Sequence, residues 1–226
     1  MEILDAIITA GGSGKRFGQK KQFSNLAGMP ILQRSVMAFD LPLFRQIIVV
    51  VPEEDVAGTK MLFNGMKTKI EVIHGGATRQ ESVMNGLKAA SGCDVVLVHD
   101  GVRPFVSYDL VNRVVRGMND ADGCIPVLPV TDTVKYASNG SVIKTVPRED
   151  LYTVQTPQAF RMTKLMEAHI TTEGRHDIPT DDSMLIEETG GIIRVVEGDR
   201  YNIKITMPQD MIIAEAIYAF QNRNRI

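Results

Sequence analysis

Short apolar, β-branched runs recur along the first half of the chain, each followed by an amphipathic segment, and this alternation limits the fold more than any other feature. The runs are Ile3–Ile8, Gln46–Val51 (stopped by Pro52), Ile70–His74 and Asp94–His99. Between them Pro30–Phe39 and Glu53–Asn64 read as helices, the first with Pro30 suited to an initial turn. Thr78-Arg79-Gln80-Glu81 has capping-box spacing, and Val83, Leu87 and Ala90 then share one face. Ser107 caps a further helix running to about Asn119. Such alternation predicts an α/β fold with a mainly parallel twisted sheet and helices on both faces.

The pattern changes after Gly123. Cys124–Val130 is a strand, but Thr133–Ala137 and Ser141–Val146 flank Ser138-Asn139-Gly140, a hairpin turn signal. This hairpin has few large apolar residues, so it is either an arm leaving the body or a solvated hairpin with no partner. Leu151–Gln155 returns to the sheet, and Thr163–Thr171 is a helix. Thr180 is the expected cap of a helix over Asp181–Glu188, stopped by Gly190-Gly191. Ile192–Glu197 and Ile203–Thr206 read as strands, and Pro208 opens a last helix to about Asn222. With 226 residues and no repeat, linker or low-complexity tract, one domain is expected over residues 1–226, with the hairpin region at about 132–150.

Bulk properties exclude several classes. The 25 basic and 27 acidic residues leave a net charge of −2, which does not support sequence-independent nucleic-acid binding. No apolar run reaches the length of a membrane span. Glu2 and Asp5 stand where a secretion signal needs a basic start and an apolar core, so a cytoplasmic protein without a membrane partner is expected. Cys93 and Cys124, the only cysteines, have no Cys or His at metal-ligand spacing and read as buried small hydrophobes.

The first strand runs into Ala10-Gly-Gly-Ser-Gly-Lys-Arg-Phe-Gly-Gln-Lys-Lys-Gln22. Gly11, Gly12 and Gly14 lack the Cβ that keeps a ligand off the backbone, and their amides are expected to turn inward as an anion cradle. Lys15, Arg16, Lys20 and Lys21 concentrate positive charge beside it. A Walker A loop needs Ser or Thr after Gly14-Lys15, where this chain has Arg16. The dinucleotide fingerprint needs a small residue where Phe17 stands. A nucleotidyltransferase loop around a nucleoside triphosphate fits the pattern, and a tight turn with a solvated basic patch also fits.

Ligands of parallel sheets sit at the carboxyl ends of the strands. Two more loops qualify there. Gly75-Gly76-Ala77-Thr78-Arg79 is a glycine turn before a helix, suited to an anion or a polar base edge, or an ordinary capped turn. His99-Asp100-Gly101-Val102-Arg103-Pro104 offers Asp100 to a ribose hydroxyl or to magnesium, a hard ion that takes oxygen ligands. Asp100 and Arg103 also read as a plain ion pair, and His99 reads as a packing residue rather than a general base.

Together the motifs form a recognisable series. Ala10-Gly11-Gly12-Ser13-Gly14-Lys15-Arg16, Lys21-Gln22-Phe23, Gly75-Gly76-x-x-Arg79-x-x-Ser82-Val83, His99-Asp100-x-x-Arg103-Pro104, Asp132-Thr133-x-Lys135, Thr156-Pro157-Gln158, Thr180-Asp181 and Asn202-Ile203-Lys204 occur in order. In this the chain resembles the 2-C-methyl-D-erythritol 4-phosphate cytidylyltransferase family over nearly its whole length. Each motif alone is weak, whereas the ordered series is specific.

The resemblance implies a GT-A-like fold with a projecting β-arm, a homodimer formed through that arm, and a magnesium-dependent reaction of CTP with a polyol phosphate. By the same resemblance Arg16 and Lys21 face the α-phosphate, and Ala10, Gly11, Gly76, Ala77 and Ser82 hold cytosine. Gly12 and Gly14 belong to the nucleotide loop. Arg79 lines the nucleotide pocket, and Asp100 meets the ribose or the metal. Arg103, Thr133, Arg148, Thr156, Thr180 and Lys204 surround the acceptor, with Arg148 also in the catalytic set. A phosphate monoester is already anionic at neutral pH, so its attack needs no protein base.

One position departs from the pattern: Tyr201 stands where relatives carry an acidic residue before Asn-Ile-Lys. Tyr201, with Val102-Arg103-Pro104-Phe105 and Gln155-Thr156-Pro157-Gln158, is similar to the sister ribitol-5-phosphate cytidylyltransferases of wall teichoic acid synthesis. Lys135 and Thr180-Asp181-Asp182-Ser183 look closer to the methylerythritol family. A non-catalytic nucleotide-binding domain is a further alternative, against which Arg16 and Lys21 both stand.

Overall fold

The apolar alternation becomes a sheet buried on both faces. The computed structural model describes residues 2–12, 17–172 and 179–223. The chain runs β1 (Leu4–Thr9), the two-residue strands β2 (Asn25–Leu26) and β3 (Met29–Pro30), α1 (Ile31–Met37), β4 (Phe44–Val51), α2 (Val56–Met61), β5 (Lys69–His74), α3 (Arg79–Ala89) and β6 (Val95–Asp100). It continues with α4 (Tyr108–Gly117), β7 (Gly123–Pro129), β8 (Val134–Ser138), β9 (Ser141–Val146), β10 (Tyr152–Val154), β11 (Gln158–Arg161), α5 (Met162–Thr171), α6 (Asp182–Glu188), β12 (Ile193–Glu197) and α7 (Asp210–Arg223).

The sheet order is β10-β7-β11-β6-β1-β4-β5, with β12 added parallel to β7. β5, β4, β1 and β6 are parallel neighbours. From β1 the chain winds outward through β4 and β5, then returns to place β6 on the other side of β1. That reversal leaves a crevice at the carboxyl ends of β1 and β6, where such sheets bind ligands. Alternate residues feed two cores. Ala6 and Ile8 pack with Leu32 and Val36 of α1 and Leu110 and Val114 of α4. Ile7 packs with Val83 and Leu87 of α3, Leu165 of α5 and Leu185 of α6. Helices therefore cover both faces, as expected.

Three expectations need correction. The central strand β11 is absent from the sequence reading, yet it lies antiparallel between β6 and β7. The expected strand Ile203–Thr206 has no ladder partner among the described residues. It is an extended strap whose Ile205 N–H donates to Val102 O at 3.0 Å, and Ile205 joins Val102, Phe105, Ala214 and Ile217 in a third core under α7. The cap of α6 is Asp181, whose side chain accepts from Met184 N–H, and not Thr180. The expected caps at Thr78 and Ser107 accept from Glu81 and Leu110 amides as drawn.

Among the described residues the hairpin of β8 and β9 pairs only with itself, and Asn139 (φ 50°) and Gly140 (φ 76°) make its turn with both φ positive. Such a turn matches the right-handed twist of its strands. Tyr136, Val142 and Ile143 on it are exposed.

Candidate active site

At the crevice the carboxyl ends of β1 and β6 and the loop before α3 enclose a cleft of about 420 Å³, lined by Ala10, Gly11, Gly12, Lys21, Gly76, Ala77, Arg79, Ser82, Asp100 and Lys204 among others. Ten of the expected site residues thus meet in one place, although they lie up to 194 residues apart in the chain. Gly14 and Arg16 lie outside the described residues.

The wall before α3 is built by the chain's own hydrogen bonds. Glu81 N–H donates to Thr78 Oγ1 at 3.1 Å, and the Glu81 carboxylate reaches back to accept from Ala77 N–H at 2.7 Å. Ser82 Oγ accepts from Gly76 N–H at 3.1 Å and donates to Thr78 O at 2.9 Å. A Cβ on Gly76 would lie 2.3 Å from Glu81 Cβ, so this turn requires glycine. A Cβ on Gly12 would meet nothing within 4 Å among the described residues.

The opposite wall is held by Gln22, which the sequence reading gave no role. Its side chain is 1% exposed, and its Nε2 donates to Ala10 O at 3.0 Å and Gly12 O at 3.2 Å, stapling the glycine loop. A glutamine in a basic stretch reads as surface, and only its position beside Lys21 signalled a site. Lys20, counted above with the phosphate cations, is instead paired with Glu54 at 2.8 Å and Asp55 at 2.6 Å.

Asp100 is the buried carboxylate of the cleft. Its Oδ2 lies 3.0 Å from Lys204 Nζ and 3.1 Å from Arg103 Nε. Burial pushes this carboxyl up, but the charges of Lys204, Arg103 and Arg79 outweigh it and hold it well below the usual carboxylate range. Asp100 is therefore ionised at neutral pH and can meet a hydroxyl or a hard cation. Arg79 donates to Asp182 Oδ2 at 2.6 Å, and this acid keeps the guanidinium charged against the cost of burial.

Several expected acceptor contacts do not open into the cleft of this chain. Arg103 is 8% exposed and spends Nη1 on Asn202 O at 2.9 Å, so it braces Asp100 from behind rather than facing solvent. Thr156 is 5% exposed and bonds to His99 and the Asp100 amide. Thr133, Arg148 and Thr180 are exposed and lie outside the cleft. Arg148 donates to Thr131 O at the root of the hairpin. Tyr201 stacks on Phe220 of α7, with ring centroids 5.7 Å apart, so the departing position packs a helix. His99 is buried, and burial pushes its imidazole down to about 4, in keeping with a neutral packing role.

Cations gathered about one ionised carboxylate, on glycine turns at a sheet's switch point, mark a nucleotidyltransferase. In that class of reaction an attacking phosphate brings its own charge, so positioning and electrostatic stabilisation suffice. Comparison with known proteins agrees. Residues 4–219 match the family model IspD, 2-C-methyl-D-erythritol 4-phosphate cytidylyltransferase. Proteins of that name from Geobacter metallireducens and Bacillus licheniformis are 42% and 38% identical, covering 93% and 97% of this chain and 95% and 97% of theirs. The crystal structure of 4-diphosphocytidyl-2C-methyl-D-erythritol synthase from Anaerococcus prevotii superposes with a TM-score of 0.87 at 31% identity, covering 96% of both chains. The enzyme from Thermus thermophilus gives 0.81 at 34%, covering 97% of this chain and all of that one. The chain belongs to the 2-C-methyl-D-erythritol 4-phosphate cytidylyltransferase family.

Proposed function

We propose that this protein transfers the cytidylyl group of CTP to 2-C-methyl-D-erythritol 4-phosphate, forming CDP-methylerythritol and pyrophosphate in non-mevalonate isoprenoid precursor synthesis. The observation that carries this is the switch-point cleft, in which Arg79 and Lys204 act on the ionised Asp100 and Lys21 lines the same cavity. An acceptor phosphate oxygen attacks the α-phosphorus, and the bond to the bridging oxygen breaks to release pyrophosphate. Arg16 and Lys21 stabilise the charge that builds on the α-phosphate. Ala10, Gly11, Gly12, Gly14, Gly76, Ala77 and Ser82 hold the nucleotide, with Arg79 beside them and Asp100 at the ribose. Thr133, Arg148, Thr180 and Lys204 serve the acceptor, and Arg103 and Thr156 support the wall behind it.

Magnesium is the cofactor in this reading. Among the described residues no group of three or more His, Cys, Asp and Glu side chains could hold a metal. One carboxylate that stays ionised suits the mode in which magnesium rests on a single acid and on substrate phosphates. Asp100 would be that acid, and the ion would neutralise triphosphate charge. We further read the chain as one catalytic domain, cytoplasmic, and a homodimer joined by the β8–β9 arm of a GT-A-like fold. The exposed Tyr136, Val142 and Ile143 of that arm support the dimer.

The test supplies CTP and magnesium with methylerythritol phosphate or ribitol 5-phosphate in parallel and follows pyrophosphate. Release with the first acceptor only is expected. Preference for ribitol phosphate would move the chain to the sister activity that Tyr201 suggests, and no release with either would leave a nucleotide-binding domain.

A further inference from the structure

His99 and Thr156 form a hydrogen-bond circuit behind the Asp100 carboxylate. Thr156 Oγ1 accepts from Asp100 N–H at 3.0 Å and lies 3.0 Å from His99 Nδ1. A hydroxyl has one proton to give. The Arg103 carbonyl, 3.1 Å from Nε2, can only accept, so the neutral ring keeps its proton on Nε2 and donates it there. The bare Nδ1 takes the hydroxyl proton while Oγ1 accepts from the amide. Both ends of the circuit sit in the turn that presents Asp100, since Arg103 N–H also donates to Asp100 O at 3.0 Å. Asn202 Nδ2 donates to Thr156 O at 2.8 Å, and Asn202 O receives Arg103 Nη1, so the circuit extends to the strap carrying Lys204. The imidazole is wholly buried, and the Phe39 ring packs against it at 5.0 Å between centroids.

We infer that His99 and Thr156 are positioning residues that aim the Asp100 carboxylate through a single imidazole tautomer, and that Thr156 acts through Asp100 rather than by touching the acceptor. The inference rests on the cytidylyltransferase reading for what Asp100 does, and on hydrogen bonding alone for how Asp100 is held. Valine at 156 would keep the shape but leave the Asp100 amide and His99 Nδ1 without partners inside the wall of the cleft. Serine would keep the hydroxyl. Losing the circuit shifts a charged group by a fraction of an ångström, which lowers turnover without removing a contact to the acceptor.

The experiment compares the wild-type protein with Thr156→Val, Thr156→Ser and His99→Phe. Long-range proton–nitrogen spectra at pH 7, with the His99 signals identified by their loss in His99→Phe, should show Nε2 protonated and Nδ1 bare in wild type and Thr156→Ser. With CTP, magnesium and methylerythritol phosphate, Thr156→Val should lower kcat about tenfold or more, within what a small misplacement costs. Its acceptor KM should stay within about twofold, and serine should restore most of the turnover. His99→Phe combined with Thr156→Val should cost little more than either alone, as expected of two members of one unit. A protonated Nδ1 in the wild type would overturn the inference. So would a raised acceptor KM at unchanged kcat in Thr156→Val, or failure of serine to rescue. Should the valine variant not fold, the wild-type tautomer decides. Absence of pyrophosphate release by the wild type would sink the catalytic reading, while the spectra would still report on the circuit.

Discussion

Arg79 Nη2 lies 2.6 Å from Asp182 Oδ2, an ion pair that ties the first turn of α3 to the first turn of α6. The pair fixes a cleft cation by an acid outside the cleft. Asp182 is 1% exposed, and His169 Nε2 lies 3.5 Å from its other oxygen. The fold thereby connects the nucleotide wall to the segment that carries Thr180.

Asp182→Asn should therefore weaken both stability and nucleotide affinity. Removing one partner of a buried pair costs several kcal/mol, and because Arg79 is partly exposed we expect about 2 kcal/mol. The pH dependence has a defined sign. Burial pushes the Asp182 carboxyl up, but Arg79 and His169 outweigh it and hold it below its ordinary value. As pH falls below about 4 the unfolded chain takes up this proton before the folded one does, so wild-type stability falls there. Urea unfolding at pH 7, 4 and 3 should show a shallower acid loss in Asp182→Asn. Asp100 shares the behaviour, so some slope will remain; an unchanged slope would remove Asp182 from the account.

Lys21→Ala and Arg16→Ala should each lower kcat far more than CTP binding. Donors aimed at charge that develops in the transition state are commonly worth ~3 kcal/mol, or ~10²-fold in rate. Turnover from single-turnover kinetics and CTP affinity from calorimetry separate the two effects. Near-normal turnover in either variant would take that residue out of the catalytic set.

The two glycine walls should respond differently to alanine. At Gly76 the added Cβ meets Glu81 Cβ at 2.3 Å, and relieving such overpacking costs about 1–3 kcal/mol of stability, so the melting temperature should fall and CTP affinity should weaken with it. Gly12→Ala meets no atom within 4 Å among the described residues, so its melting temperature should match wild type. Any loss of CTP affinity in Gly12→Ala would then report the ligand's own approach. Equal CTP binding in Gly12→Ala and wild type would mean the nucleotide does not pass over that loop.

Sequence patterning and tertiary structure divide along clear physical lines here. The β1, β4 and β6 runs were legible because strands buried on both faces read as continuous apolar stretches. Thr78 and Asn139-Gly140 were legible because capping and positive φ are local demands. β11 was not, because it opens on a glutamine, yet Gln158 is fully buried, its Nε2 donating to Asp181 Oδ2 at 2.8 Å. The strap at 203–206 has the period-2 alternation of a strand, since Ile203 and Ile205 turn to α7 while Lys204 turns to Asp100. What it lacks is a neighbour, which composition does not reveal. Lys20 was misread for a similar reason: its acidic partners are 34 and 35 residues away. Thr180 and Asp181 are adjacent cap formers, and only the backbone decides between them.

The hairpin explains why Thr133 and Arg148 stand apart from the cleft of their own chain. Both are exposed near its root, and among the described residues the strands between them pair only with each other. If two copies join through this arm about a two-fold axis, each arm occupies an equivalent place on the other subunit, and Arg148 can serve the partner's acceptor. Subunit mixing tests this directly. Lys21→Ala and Arg148→Ala, each expected to be nearly inactive alone, are combined and allowed to exchange. In a mixed dimer one site collects both lesions, and the other has intact Lys21 with an intact borrowed Arg148. Random pairing makes about half the dimers mixed, so activity should return to roughly a quarter of wild type. No recovery in verified heterodimers would mean that each arm serves its own subunit.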